Sequence, residues 1–526
     1  MSQPASTGRT AGEPRFALAW LLLACALLLL PTLGLYPLFD VDEGAFSEAT
    51  REILQSGDWI STTLNGVPRY DKPILIYWLQ ALSVSVLGLN EFALRLPSAL
   101  AALGWVAAIV RFATPRLGSN SALLAGWIAA TSLGVMAMGR AATADALLNA
   151  LLAATMFDLW RHLEGSGRPV ALRRVYLWMA LGTLTKGPIA ILIPFAVSLG
   201  YCAMARRWRD WARAAFDPLG WLLLLALSGP WYLAQLILHG RAFVDGFLLR
   251  HNLERFSGTL EGHGGALWYY FAVAPLLLLP WSGLLLRALR HLPEDWRDPL
   301  ARYLVIWFGF VFVFFSLSGT KLPHYLLYGM TPVFLLLACR AREGAGSAGL
   351  LWLPCLLLLA LPLVPTLVRE LSATTTDPRL AFYAALAARA TTIATRSHYA
   401  YYALTLAGAL AAVGLLAYRA GPPLRRALAA SGALALALGW GLIPWAGEML
   451  NGPVKHAGQV AAQLPGTVVQ WQIAAPSFSV YRREITPARP PAPGEMALTR
   501  TDRFDPSVSA DVLYAEGPIV LLRRRQ

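Results

Sequence analysis

Apolar residues run along this chain in blocks longer than a soluble core uses. Thirteen blocks lie at about 16–35, 91–110, 119–139, 145–160, 173–185, 187–205, 218–238, 266–286, 302–318, 324–339, 347–368, 399–417 and 427–446. An α-helix rises about 1.5 Å per residue, so about 20 apolar residues cross the hydrocarbon layer of a membrane. The pattern predicts a spanning helix in each block. The fifth and sixth are short and joined by Gly187-Pro188. Polar sequence collects in three long stretches, about 36–90, 239–265 and 369–398, and again after 446. That tail changes character. Val468-Val469-Gln470-Trp471-Gln472-Ile473 and Ile519-Val520-Leu521-Leu522 read as strands, with a Pro-rich link from Pro487 to Pro493 between them.

Composition removes the soluble alternative. Of 526 residues, 56% are hydrophobic and 14% charged, with a mean hydropathy of +0.51. One soluble core could not enclose that much apolar surface. Cys25, Cys202, Cys339 and Cys355 lie inside apolar runs without metal-ligand spacing and read as small hydrophobes. The first apolar run ends in Pro31-Thr32-Leu33-Gly34-Leu35 without an A-x-A cleavage site, so an uncleaved first helix is expected.

Charge then orders the blocks. The formal net charge is +14, and no nucleic-acid motif accompanies it. Arg9 and Arg15 precede the first block. Alternate turns carry Arg111 and Arg116; Arg161, Arg168, Arg173 and Arg174; Arg206, Arg207, Arg209 and Arg213; Arg287, Arg290 and Arg297; Arg340 and Arg342; and Arg419, Arg425 and Arg426. The positive-inside rule makes these turns cytoplasmic. The three long loops and the tail then share the outer side, as do the turns at Arg140 to Asp145, Lys186 and Lys321. The expected architecture is an all-α polytopic membrane protein of about thirteen transmembrane helices. Its membrane domain is 1–446, with surface helices in the loop 36–90 and a second functional loop at 239–265. A small extracytoplasmic α/β domain follows at 447–526.

Lysine is rare: of 44 basic residues only Lys72, Lys186, Lys321 and Lys455 are Lys. The first three stand at outer ends of apolar segments, in Asp71-Lys72-Pro73, Thr185-Lys186-Gly187-Pro188 and Thr320-Lys321-Leu322-Pro323. The positive-inside rule disfavours cations there. A compact ammonium suits a phosphate held as a point charge; the bland alternative is snorkelling to headgroups.

Carboxylates gather on the same side. Asp40, Asp42 and Glu43 follow the first block directly, a costly placement unless the acids are solvated or used. Asp42 could instead cap the next helix. That segment, from Glu48, and a second beginning at Lys72-Pro73 are expected to lie as helices along the membrane surface, with a turn at Asn65-Gly66 between them. Asp145, after Arg140, is a second carboxylate that either caps its helix with Thr143 or faces Asp42. In the second loop, Arg250 and Arg255 could clamp an anion. His251 reads as a polar loop residue. Glu261 and His263 are candidate metal ligands, although two ligands alone do not make a site.

Taken together these pieces are familiar. Asp42-Glu43, the following SEATREILQSGDWISTTLNGVPRYDKPILIYWLQA, Thr185-Lys186-Gly187-Pro188, HNLERF…EGHGGALWYYF and GTKLPHYLL resemble, in order over about the first 340 residues, the membrane glycosyltransferases of the C-type fold. The branch resembled holds protein O-mannosyltransferase-like enzymes and the aminoarabinose transferases that modify lipid A. The resemblance implies a sugar donor linked to a polyprenyl phosphate such as undecaprenyl phosphate, transfer on the periplasmic face of a bacterial inner membrane, and no required cofactor. It makes Asp42 the essential first-loop acid, counts Glu43 beside it as catalytic, and makes Lys72 and Arg255 the ligands of the donor phosphate. Asp145 becomes a second acid, and Lys186, Lys321, Tyr325 and His251 further cavity positions. One departure stands out. Aminoarabinose transferases carry Arg three residues after the first-loop acid, whereas this chain has Ala45. The sugar and the acceptor (lipid A, another glycan or a protein hydroxyl) are therefore left open.

These residues suit the implied chemistry. Lys72 and Arg255 would meet the charge developing on a lipid-phosphate leaving group. Asp42 would take the proton of an acceptor hydroxyl, in a direct displacement that inverts the anomeric centre. An acceptor phosphate would need no base. The alternative is a transporter or flippase of lipid-linked sugars, which would move the intact lipid without cleaving it. A third reading is a structural or assembly membrane protein whose loops bind partners, in which the small tail would matter most.

Overall fold

The computed structural model describes residues 13–165, 169–254, 258, 264–343, 347, 349–374, 377, 380–392, 395–504 and 509–525. Helix occupies every one of the thirteen apolar blocks. Several run unbroken, among them Glu91–Leu117, Asp145–Glu164, Pro169–Lys186, Pro218–His239, Pro299–Leu317 and Arg396–Ala417. Others break where the backbone loses a partner. The 119–139 block bends by 64° between Ser119–Thr131 and Leu133–Gly139, with Ser132 extended at the junction. Proline interrupts the 266–286 block, which splits into Tyr269–Leu277 and Gly283–Arg290 around Pro280. Among the described residues, six helices are long and apolar enough to cross a membrane, or seven with the bent pair taken as one span. The helix Ile443–Ala461 runs on past the end of the last apolar block.

Asp42–Ser56, expected on the surface, is enclosed instead: every residue from Glu43 to Ile53 is buried. The enclosure is possible because each charge has a partner. Arg95 holds Glu43, Arg51 holds Glu48, and Glu52 accepts from the Asn65 and Gly66 amides and the Thr63 hydroxyl. A two-stranded hairpin follows, β1 (Thr63–Leu64) and β2 (Val67–Pro68). Asn65 and Gly66 both take positive φ at its turn, the geometry that fits the twist of paired strands. The second loop helix, Leu75–Leu87, turns Ile76, Tyr77, Gln80, Ala81 and Val84 inward, and Tyr77 stacks on Phe46.

The tail forms a four-stranded sheet of β3 (Val468–Gln470), β4 (Met496–Arg500), β5 (Ala510–Glu516) and β6 (Ile519–Arg524), in the order β3-β4-β6-β5. Both strands expected from the sequence are present. The strands β4 and β5 and the helix Pro476–Arg482 are additions. β3 runs parallel to β4, and the other pairings are antiparallel. The Pro476–Arg482 helix lies against Asp42–Ser56. Gly44 permits that approach, because a Cβ there would stand 2.0 Å from Asp40 Oδ1 and 2.6 Å from the Ser477 nitrogen.

Candidate active site

Five elements meet around a cavity of about 340 Å³ lined by Asp40, Asp42, Arg140, Asp145 and His324. The two acids that sequence could not place together thus share one space. Neither caps its helix. Val41 and Ala144 hold the cap positions, with no side-chain cap bond at either. The carboxylate of Asp42 takes no hydrogen bond from the described residues and is exposed at the cavity.

Glu43 has a different task from its neighbour. Its Oε1 accepts from Arg95 Nε at 2.9 Å and the Ala142 amide at 2.6 Å, and its Oε2 from Arg95 Nη2 at 2.7 Å and the Phe39 amide at 2.8 Å. Arg95 also donates to the carbonyls of Leu33, Tyr36 and Pro37. This buried pair fastens the start of the first loop to two other segments, leaving no lone pair of Glu43 pointed at a substrate.

Asp145 is half committed. Lys186 Nζ donates to its Oδ1 at 2.5 Å and the Tyr328 hydroxyl at 2.9 Å, with His324 Nε2 at 3.7 Å; no described residue donates to Oδ2. Lys186 also lies 5.6 Å from the Tyr325 ring and 5.4 Å from that of Tyr328. Its charge is therefore spent on Asp145. Lys321 closes its own turn, donating to the Ser318 carbonyl at 2.6 Å.

Lys72 sits differently. Its ammonium donates to the Asp71 carbonyl at 3.1 Å and is half-buried. His324 borders the cavity with Asp42 and Asp145. Asp71, next to Lys72, ties the two long loops together: His251 Nε2 lies 2.7 Å from its Oδ1 and Arg69 Nε 3.2 Å from its Oδ2. Burial alone would push the Asp71 carboxyl up; the His251 bond and the charges of Arg69 and Lys72 hold it below the usual range. Arg255, Glu261 and His263 lie outside the described residues. Among the described residues no three His, Cys, Asp or Glu side chains gather as a metal site.

The tail helix reaches the same corner. Ser477 donates to Asp40 through its amide at 2.9 Å and through its hydroxyl. Burial pushes the Asp40 carboxyl up to about 7, and the two Ser477 bonds oppose that rise. Tyr481 donates to Glu91 at 3.1 Å and accepts from the Leu38 amide at 2.7 Å. Lys455, the fourth lysine, pairs with Glu91 at 2.6 Å. Sequence reading passed over His324, Arg69, Tyr328, Arg95 and Ser477. His324 stands within GTKLPHYLL and Arg69 two residues before Asp71, so motif position alone could have raised both. Ser477 carried no signal.

Superposed on solved structures, the chain matches ArnT from Cupriavidus metallidurans bound to undecaprenyl phosphate. The TM-score is 0.77 at 20% identity, covering 98% of both chains. The fold is that of ArnT. It is a C-type glycosyltransferase fold, and the sequence resemblance to that class holds. Residues 71–233 match the family model described as dolichyl-phosphate-mannose-protein mannosyltransferase. Curated relatives point the same way. The undecaprenyl phosphate-alpha-4-amino-4-deoxy-L-arabinose arabinosyl transferase of Pseudomonas paraeruginosa is 32% identical over 60% of this chain and 58% of its own length. The enzyme of that name from Aeromonas salmonicida is 33% identical over 62% of each chain. The match thus spans about three fifths of the length of these relatives, while the ArnT fold extends over nearly the whole chain.

Proposed function

We propose that this protein is a membrane glycosyltransferase that moves a sugar from an undecaprenyl-phosphate-type donor to an envelope acceptor. One observation carries the reading. Asp42, unbonded among the described residues, faces a cavity it shares with Asp145 and His324, in the ArnT fold. The name of the matched structure and those of the curated relatives support undecaprenyl phosphate as the lipid carrier.

Lys72 and Arg255 hold the donor phosphate and stabilise the charge it gains on leaving. The acceptor oxygen attacks the anomeric carbon as the bond to the phosphate oxygen breaks, with inversion. Where the acceptor is a hydroxyl, its proton passes to Asp42. Asp145, clamped by Lys186 on one oxygen, offers the other to a donor hydroxyl. Glu43 acts at one remove, by fixing the loop that carries Asp42. The sugar and the acceptor stay as broad as Ala45 left them.

Thirteen crossings set the N-terminus in the cytoplasm and the tail in the periplasm of a bacterial inner membrane. The membrane domain is 1–446 and the extracytoplasmic domain 447–526, whose Ser477 bonds Asp40 at the cavity. The decisive experiment reconstitutes the full chain with a polyprenyl-phosphate sugar and follows release of polyprenyl phosphate. Asp42→Asn, Lys72→Ala and Arg255→Ala should each collapse turnover while the fold persists. Near-native turnover in all three sinks the assignment. Movement of intact donor across the bilayer without release points to the transporter reading instead.

A further inference from the structure

The helices that present Asp145 and Lys186 carry a second charged cluster at their other ends. Asp158 lies thirteen residues beyond Asp145 on one helix, about 20 Å away at 1.5 Å per residue. There two cavities adjoin, of about 580 Å³ and 360 Å³, and share Arg161 and Arg174. Arg116 lines the larger and Arg111 the smaller.

Four guanidiniums therefore face these cavities. Asp158 is buried and fully used: Arg161, Arg174 and Trp178 all donate to it, at 2.7 to 3.0 Å. Glu164, the other carboxylate there, receives Arg207 and the Tyr201 hydroxyl. That leaves Arg111 and Arg116 without a carboxylate partner among the described residues. Arg116 is held in place, donating to the Phe112 carbonyl at 2.8 Å and lying 4.2 Å over the Phe112 ring. The excess is positive, and part of it is pre-organised.

The walls are those of a groove between membrane helices. Ala108, Ala154 and Phe157 line the smaller cavity together with Trp178. Val170 at the rim of the larger is 62% exposed. A basic pocket between spanning helices, with a Trp at headgroup level and apolar residues leading inward, suits a phosphate attached to acyl chains. A free anion would use the arginines and waste the walls.

We propose that these two cavities form a binding site for the phosphate of an anionic lipid headgroup, in the leaflet opposite the sugar-transfer cavity. The site is separate from the reaction, and its test does not depend on turnover. Full-length protein in detergent is titrated with dioleoyl-phosphatidylglycerol, and separately with dioleoyl-phosphatidylcholine, and bound lipid is counted by native mass spectrometry. The variant is Arg111→Gln with Arg116→Gln, which leaves the Asp158 bonds intact; its melting temperature reports folding.

Phosphatidylglycerol should bind the variant about thirtyfold more weakly than the parent, from roughly fivefold per arginine near a membrane surface. Phosphatidylcholine binding should be unchanged. Arg111→Lys with Arg116→Lys keeps the charge and should recover most of the affinity, which serves if the Gln variant does not fold. Equal phosphatidylglycerol binding by the parent and a folded Gln variant overturns the site. So does the absence of any preference of the parent for phosphatidylglycerol over phosphatidylcholine. Competition by millimolar inorganic phosphate overturns the lipid assignment in favour of a soluble phosphate.

Discussion

Two buried aspartates on one helix, Asp145 and Asp158, show how alike a working site and a structural clasp look from the chain alone. Each is paired with a cation from the neighbouring helix Pro169–Lys186, Lys186 at Asp145 and Arg174 at Asp158. At Asp158 both oxygens are filled, Oδ1 by Arg161 and Arg174 and Oδ2 by Arg174 and Trp178. At Asp145 every described donor falls on Oδ1. The first arrangement is closed. The second leaves an oxygen for something else, next to Asp42, which is engaged by no described residue. The difference lies in the donors: planar guanidinium forks satisfy a carboxylate on two sides, whereas a single ammonium satisfies one. The scarcity of lysine acquires a meaning here, although a different one from phosphate binding at Lys186.

This contrast can be broken most sharply at the cavity. Asp42→Asn should cost about 10²–10⁴ in turnover for a hydroxyl acceptor, the usual worth of a positioned base. Asp158→Asn should leave turnover per folded molecule within about threefold, because that aspartate touches no substrate. An equal loss for the two would mean that the inner aspartate is not the closed clasp described above.

The next effect is on stability. Lys186→Met strands the buried Asp145 carboxylate and should destabilise the protein by about 3–5 kcal/mol, the cost of unpairing a buried charge. Adding Asp145→Asn should return most of that stability, as read from denaturation in detergent, without returning turnover. If Lys186→Met melts like the parent, the pair is not what holds these helices.

Ser477→Ala should lower kcat about tenfold with little change in KM, since it loosens the turn before Asp42 and leaves the donor contacts alone. Ser477→Thr should restore it. Loss of fold in Ser477→Ala, seen as a collapsed melting curve, would make Ser477 a simple strut.

The smallest effect is one of pH. Burial raises Asp40 to about 7 in the fold, against about 3.9 in an unfolded chain. The folded state therefore binds the extra proton between those values. Stability from this group is full below about pH 4 and is lost as pH rises to about 7. Compared with Asp40→Asn, the parent should lose stability across that window and run parallel above it. Parallel curves throughout would show that Asp40 stays ionised.

Much of this was legible in the chain, and the illegible part has a physical pattern. The thirteen blocks were visible because hydrophobic length is a one-dimensional property, and so was the clustering of acids after the first block. The burial of Asp42–Ser56 was not. Its charged composition resembles a surface helix until Arg95, Asn65 and Gly66 supply the partners. The fate of each lysine was hidden for the same reason: Lys72, Lys186 and Lys321 have similar neighbours in sequence and quite different ones in space. Ser477 is the extreme case, 437 residues from Asp40 and with nothing local to mark it.

That separation bears on how the protein is made. A ribosome adds roughly 5–20 residues per second, so Ser477 is added roughly 20–90 s after Asp40. Throughout that interval the nascent chain holds its acids without the serine that secures the turn bearing them. Only the last stretch of synthesis closes the corner, so a chain stalled before it would carry the chemistry unassembled.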